Sequence, residues 1–349
     1  MLALDLTTGS VKQLFVTQDR FRLSPSFCAV TRRLAVTQYT VTPGNAGLRP
    51  EIIFISLDHE PPARLSTLLS PHYYAGAAIF SSDGKRLAVE VGFDREYNPD
   101  IYVFDGVDRI IDKWVLDRQV ALIQNPLHIG MHAPRFFPDG QRLIYLRNYA
   151  YEDALEVCLT DLAQPGEPER DLEPGHSVGD LERLFGFFRR RRLTHNADVV
   201  WHRVNALALH AASETALFIR GHTTHEHEQI CTVPCAIDVH QDPMAATSIT
   251  EHFGHIGGIY PSPDGLQIAF DGDGQLYVAA LDGGDLIQLT DEGDGKCRCV
   301  AFSPDSSQIA FARSGAAKAA GIWLTDRFGK KAEQLVVPGD GSIQDILWV

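Results

Sequence analysis

Helical patterning is what this chain most lacks. Between the strands of the units that recur through its 349 residues no helical stripe intervenes, which excludes a helical bundle or a doubly wound α/β sheet. Positive charge is also in short supply: 31 Lys and Arg against 45 Asp and Glu leave a net charge of −14. Nucleic acid and anionic membranes both reward a basic field, so neither is expected as a partner. Long apolar runs are missing too, none approaching the roughly 18 residues of a membrane span. The opening MLALDLTTGSVKQLF has no basic n-region and no long apolar core of an export signal. The expectation is a soluble, cytoplasmic chain, or a periplasmic one if a signal has been removed.

Cysteine is sparse. The six, at 28, 158, 231, 235, 297 and 299, lie in or beside expected strands rather than in a compact framework, so reduced, buried thiols are expected. Cys231-x-x-x-Cys235 and Cys297-x-Cys299 lack the repeated close pairs of structural zinc sites. No cofactor fingerprint and no convincing nucleophile can be found. Gly175-His176-Ser177-Val178-Gly179 spells G-x-S-x-G, but that elbow needs an apolar strand feeding the serine, and here the feeder is ERDLEP. Asp271-Gly-Asp273-Gly and Asp291-Glu-Gly-Asp294 resemble pieces of calcium loops. The glutamate of loop position 12 is absent after Asp271, and both pieces fall where tight turns are expected.

What the chain does have is a repeated phrase. FSSDGKRLAVEV from Phe80, FFPDGQRLIYLR from Phe136, PSPDGLQIAFDG from Pro261 and FSPDSSQIAFAR from Phe302 are each followed, about ten residues later, by IYVFD, LEVCLTD, LYVAALD or IWLTD. Short apolar strands separated by Asp-Gly and Pro-Asp turns are antiparallel hairpins. A four-strand unit that cannot bury both its faces alone calls for stacking against its own copies, so the expected fold is all-β, a β-propeller. With strands a to d counted outward, six sets are read: 21–69, 75–116, 133–172, 204–250, 257–290 and 299–337. The fourth lacks a Pro-Asp-Gly turn, but VNALALH and TALFIRGH keep the apolar content of buried strands. SIQDILWV at 342–349 looks like strand a of a further blade, and residues 2–16 like its c and d strands. A shared last blade would close the ring without an open edge. The prediction is one domain, 1–349, with seven blades, six being the alternative. Two links interrupt the repeats, at 117–131 and 173–201. The second carries Leu181, Leu184, Phe185 and Phe188 at helical spacing before Arg189 to Arg192, which predicts a short amphipathic helix outside the ring or a docking element.

The turn spelled SDG at 82–84, PDG at 138–140 and 263–265 and PDS at 304–306, followed by its I-Y/W-apolar-Asp strand, resembles the SPDG turn of the TolB-type propeller repeat. The same repeat builds the propellers of prolyl oligopeptidase-like peptidases and of oligogalacturonate lyases. The resemblance covers most of the chain and implies an architecture that hosts binding modules and enzymes alike.

Histidine placement supplies the candidate site. In a four-stranded antiparallel blade the b-to-c turns and the d-to-a links emerge at one face. His72, His128, His132, His195, His202, His252 and His255 fall in d-to-a links, and His222, His225 and His227 at the b-to-c turn of the fourth set. Within them, His225 and His227 of an extended segment point the same way, as two ligands on one metal would. His222, His225, His227, His252 and His255 are therefore the candidate metal ligands, for a divalent transition metal (Mn, Zn or Fe) and no other cofactor; a histidine-rich solvated hairpin tip is the alternative. Resemblance to the lyases implies a histidine-bound divalent metal on one face. Two functions follow. The first is a non-catalytic TolB-like scaffold that binds a protein or small ligand through its histidine-rich face. The second is a metal-dependent lyase or hydrolase acting there on an oligosaccharide, so whether the chain is an enzyme is left open by its sequence.

Overall fold

The computed structural model describes residues 2–4, 11–13, 20–41, 48–58, 63–65, 74–92, 99–108, 110–111, 114–115, 118–123, 130–148, 155–165, 188–192, 206–221, 227–235, 246–291, 295–314, 320–329, 332–336, 343 and 346–348. Among these all the regular structure is β, and no helix occurs. The chain divides into two compact units, Met1–Leu143 with Asp161–Arg189, and Ile144–Thr160 with Arg190–Val349.

In the first unit Leu2–Leu4 pairs with Val11–Gln13 in a two-stranded ladder. The first large sheet is a meander of Arg20–Cys28, Arg33–Val41, Leu48–Ser56 and Ala63–Leu65. The second runs Tyr74–Phe80, Arg86–Gly92, Asp100–Asp105 and Arg118–Ile123. Here the boundaries differ from those read in the sequence. The repeats place the end of the second set at 116 and make 117–131 a link. Instead Arg118–Ile123 takes the outer place, while Trp114–Val115 runs parallel to Ala63–Leu65 and extends the first sheet. An outer strand is chosen by which segment can meet the free edge in register, and a two-residue apolar pair is too short a signal to choose between neighbours.

A third sheet has the order Met131–Phe136, Arg142–Asn148, Leu155–Pro165, Phe188–Arg192. Its last strand corrects the expected helix: Phe188 and the arginines after it are extended, and the rest of 173–187, with the 175–179 motif, lies outside the described residues. A row of arginines suits an edge strand, where like charge discourages pairing with another chain.

The second unit holds three four-stranded antiparallel meanders. The fourth sheet is Leu207–His210, Thr215–Gly221, Glu228–Pro234 and Thr247–Ser248, so the set without a Pro-Asp-Gly turn folds as the others do. The fifth is Ile256–Pro261, Gln267–Gly272, Gln275–Ala280 and Leu286–Gln288. The sixth is Lys296–Phe302, Gln308–Ser314, Gly321–Asp326 and Ala332–Val336. The strands are buried on both faces because successive side chains point to opposite sides. Ile268 and Phe270 join Leu217, Ile219 and Ile230 of the fourth sheet, whereas Ala269, Leu276 and Val278 join Cys297, Val300 and Phe311 of the sixth. A buried apolar layer thus lies between each pair of neighbouring sheets in this unit. Of the C-terminal segment, 343 and 346–348 are described, and they lie in no strand. The six cysteines are free thiols, five of them buried.

The repeated turn is a small polar machine. In Ser81-x-Asp83, Ser262-x-Asp264 and Ser303-x-Asp305 the serine hydroxyl donates to the aspartate at 2.6 Å. The same hydroxyl accepts the N–H five residues on, at 2.9–3.0 Å. The aspartate accepts the N–H two residues on, and the residue after it takes a positive φ: Gly84 at 70°, Gly265 at 72° and Ser306 at 59°. At the third repeat Phe137 stands where the serine would be. There Arg142 closes the turn on Asp139 with an Nε–Oδ2 distance of 2.6 Å.

Candidate functional site

The strand order in the second unit puts the b-to-c turns and the d-to-a links at one end of the sheets, as expected. Asp273, in the b-to-c turn of the fifth sheet, donates its N–H to the carbonyl of His255 at 2.7 Å. Its carboxylate accepts the N–H groups of Gly254 at 3.1 Å and His255 at 2.7 Å. The next link repeats the contact, Cys297 N–H donating to Gly274 O at 2.7 Å. Asp273 and Gly274 both have positive φ, 51° and 82°, the geometry of a two-residue type I′ hairpin. The Asp-Gly-Asp-Gly motif is therefore a turn, and its second aspartate anchors the neighbouring link.

Glu228 holds the same link from the other side. Its backbone forms an isolated antiparallel bridge with Phe253, through N–H···O distances of 2.6 and 2.9 Å. The side chain points the opposite way from His227, is buried, and accepts the N–H of Ile256 at 2.5 Å. Thr250 finishes the clamp, its hydroxyl oxygen accepting the N–H of Ile230 at 2.9 Å. Thr290 does the same for Leu276, also at 2.9 Å. Two carboxylates and a threonine thus fix residues 249–256 without using the exposed histidines. In the first unit Glu90 plays the corresponding part, accepting the N–H of Ala133 at 2.6 Å.

Of the five candidate ligands, His222 and His225 lie outside the described residues, as do His72, His128, His195 and His202. His227, His252 and His255 are all exposed. The bridge brings His227 and His252 together, ring centroids 5.6 Å apart with planes at 64°. His255 does not complete a trio with them: among the described residues no three His, Cys, Asp or Glu side chains cluster as metal ligands would. Sequence reasoning passed over Glu228 and Asp273. Glu228 was visible only as an acid interleaved among histidines, and Asp273 only as a turn residue. The repeat of a threonine before each link, SIT-Glu-His and QLT-Asp-Glu, was the available signal. A further unforeseen group is Arg313, buried at the b-to-c end of the sixth sheet, its guanidinium 4.4 Å above the Trp323 ring.

The opposite end of the sheets carries the Ser-x-Asp turns, and there lies the one buried histidine described. His210 hydrogen-bonds Ser213 through Nδ1, and its ring edge lies against Gly265. Burial pushes its pKa below the ordinary histidine value, partly opposed by the charge of Asp264. Asp264 accepts from Ser262 and Leu266, lies 3.6 Å from Arg327, and titrates lower than usual: burial raises it, but these hydrogen bonds and Arg327 outweigh that. Asp305, exposed, is brought down to about 2 by the Ser303 hydroxyl and by the Ser307 N–H and hydroxyl.

Stacked four-stranded meanders with buried apolar layers between them define the β-propeller class, and the solved structures similar to the chain agree. No family model matches the chain, and no curated protein does. The β-propeller domain of the Trilobed protease from Pyrococcus furiosus is 12% identical with a TM-score of 0.56, over 93% of this chain and 85% of that one. The Cps50 (Swd1) β-propeller domain of Myceliophteria thermophila is 13% identical with a TM-score of 0.53, over 89% and 86%. Against a prolyl endopeptidase, 13% identical with a TM-score of 0.57, 92% of this chain spans 42% of the other. Solved structures similar to the chain also include a putative TolB from Agrobacterium tumefaciens, at 15% identity and a TM-score of 0.46. At these identities the likeness establishes the fold alone.

Proposed function

We propose that the chain is a non-catalytic propeller scaffold that binds a protein or small ligand through the end bearing the b-to-c turns and d-to-a links. One observation carries this reading. Residues 251–255 present exposed His252 and His255 on a backbone held by Glu228 and Asp273, and a polar surface on a rigid frame loses little entropy on binding. The buried Glu228 on one side and the exposed Asp273 on the other hold its backbone N–H groups, which makes the link a fixed platform rather than a loose loop. The acidic balance of the chain favours a protein or neutral ligand over nucleic acid or a membrane surface. The ring itself is proposed to have seven blades. Six sheets of four or more strands, plus the two-stranded ladder of Leu2–Leu4 and Val11–Gln13, support that count, since a lone two-stranded ladder needs further strands to be stable. The lyase reading rests on sequence resemblance alone and is not carried further.

The test compares the two ends of the sheets. Ligand capture by the full chain from its native extract, identified by mass spectrometry, should be lost in a His227→Ala/His252→Ala/His255→Ala variant. It should persist in a Leu266→Ser/Phe328→Ser variant, which alters exposed apolar side chains in the opposite turns. The reverse pattern would move the binding surface to the Ser-x-Asp end and end this reading.

A further inference from the structure

His227 and His252 come from segments separated by more than twenty residues, yet a backbone bridge sets them side by side. Diagonal neighbours across the Glu228–Phe253 pair, they project to the same side, away from the buried Glu228 and Phe253 side chains. Their separation can be compared with what a shared metal requires. An imidazole nitrogen sits about 2.0–2.1 Å from a transition metal, which puts the metal roughly 3.2 Å from the ring centroid; at a tetrahedral angle two such rings have centroids about 5.2 Å apart. The observed 5.6 Å with planes at 64° lies within a small side-chain adjustment of that value. We propose that His227 and His252 form a two-nitrogen chelate for a divalent transition metal of the imidazole-preferring kind, such as Zn²⁺ or Ni²⁺.

The surroundings favour it. The anchors Glu228 and Asp273 are turned to backbone N–H groups, so the backbones that carry the two rings are fixed before any metal arrives and only the side-chain rotamers are left to order. The net charge of −14 raises the local concentration of cations. Two protein nitrogens leave the other coordination positions to water or to donor atoms of an incoming ligand, which makes the chelate a place of recruitment rather than a closed structural site. The metal site does not depend on the binding reading above, because its test needs no partner.

The experiment is calorimetric titration of the full chain with Zn²⁺ and Ni²⁺, each alone. One saturable site per chain is expected. His227→Ala and His252→Ala should each weaken it at least about tenfold, and the double variant should be scarcely weaker than either single one, because removing one arm already destroys a chelate. His132→Ala, a histidine of the first unit, should leave it unchanged. Both substituted side chains are exposed, so the urea midpoint should stay at the parent value and loss of binding cannot be laid to unfolding. An absence of saturable binding, or binding that survives either single substitution, or losses that add as for independent sites, would overturn the proposal and leave the two rings as surface neighbours.

Discussion

Gly265 and Gly140 occupy the same position in two copies of the repeated turn, yet replacing them by alanine should have different consequences. Both have left-handed φ, 72° and 63°, which costs an alanine about 1–2 kcal/mol of backbone strain at either site. At Gly140 a Cβ would meet nothing nearer than Ser81 Cβ at 3.5 Å, an ordinary contact, so strain is the whole cost. At Gly265 the Cβ would land on Nε2 of His210, closer than any real atoms approach, and that ring is buried and tied to Ser213. Moving it adds an overpacking cost of about 1–3 kcal/mol. The expected losses are therefore about 1–2 kcal/mol for Gly140→Ala and about 2–5 kcal/mol for Gly265→Ala. Urea unfolding followed by tryptophan fluorescence reads both as midpoint shifts, provided the slope is unchanged. Combining Gly265→Ala with His210→Ala should give a loss smaller than the sum of the two single losses, the signature of a shared contact. Equal losses at the two glycines, or simple additivity with His210→Ala, would refute the packing argument.

Other outcomes follow from the same turns and links. Ser306 already sits at φ 59° and its hydroxyl oxygen accepts the N–H of Asp264 at 2.9 Å. Ser306→Ala should destabilise by about 1–3 kcal/mol through the abandoned N–H, whereas Ser306→Gly should lose about 1 kcal/mol less because strain is relieved, as urea midpoints would reveal. Thr250→Val, which strands the Ile230 N–H, should cost about 1–3 kcal/mol and speed hydrogen exchange at Ile230, while an unchanged exchange rate would mean water takes the vacated place. Acid should act in two windows. Because the His210 pKa is depressed in the folded chain, the unfolded chain binds the proton more readily, and stability should begin to fall as pH drops below the ordinary histidine value of about 6.5. His210→Gln should remove that phase. Asp305, with a folded value of about 2, contributes stability that is full above the ordinary aspartate range and is lost as pH falls toward 2, so Asp305→Asn should flatten only that lower limb.

How far the sequence could be read depended on whether a feature was local. The Ser-x-Asp turns and the strands after them are local, because one serine, one aspartate and a residue of positive φ satisfy each other within six positions. The strands were legible even in the fourth set, which has no Pro-Asp-Gly turn, because the continuous apolar run through Leu217, Phe218 and Ile219 remained. Outer strands are not legible in the same way: by pattern Arg118–Ile123 falls in a link and Phe188 ends a helical stripe, since an outer strand is half exposed and is selected by the edge it meets rather than by its own pattern. The site divides along the same line. That b-to-c turns and d-to-a links share one end follows from antiparallel alternation, and the contacts of Asp273 with His255 and of Gly274 with Cys297 display it. Which histidines meet depends instead on the register of a single bridge. Had Phe253 paired one residue further along with its own side chain still buried, alternation would have turned Glu228 outward and His227 inward, and a charged glutamate would have faced water in place of the N–H of Ile256. The buried carboxylate therefore selects the register, and the register places His227 beside His252; a glutamate spelled among histidines was the clue to the pair, though its role was to turn away from them.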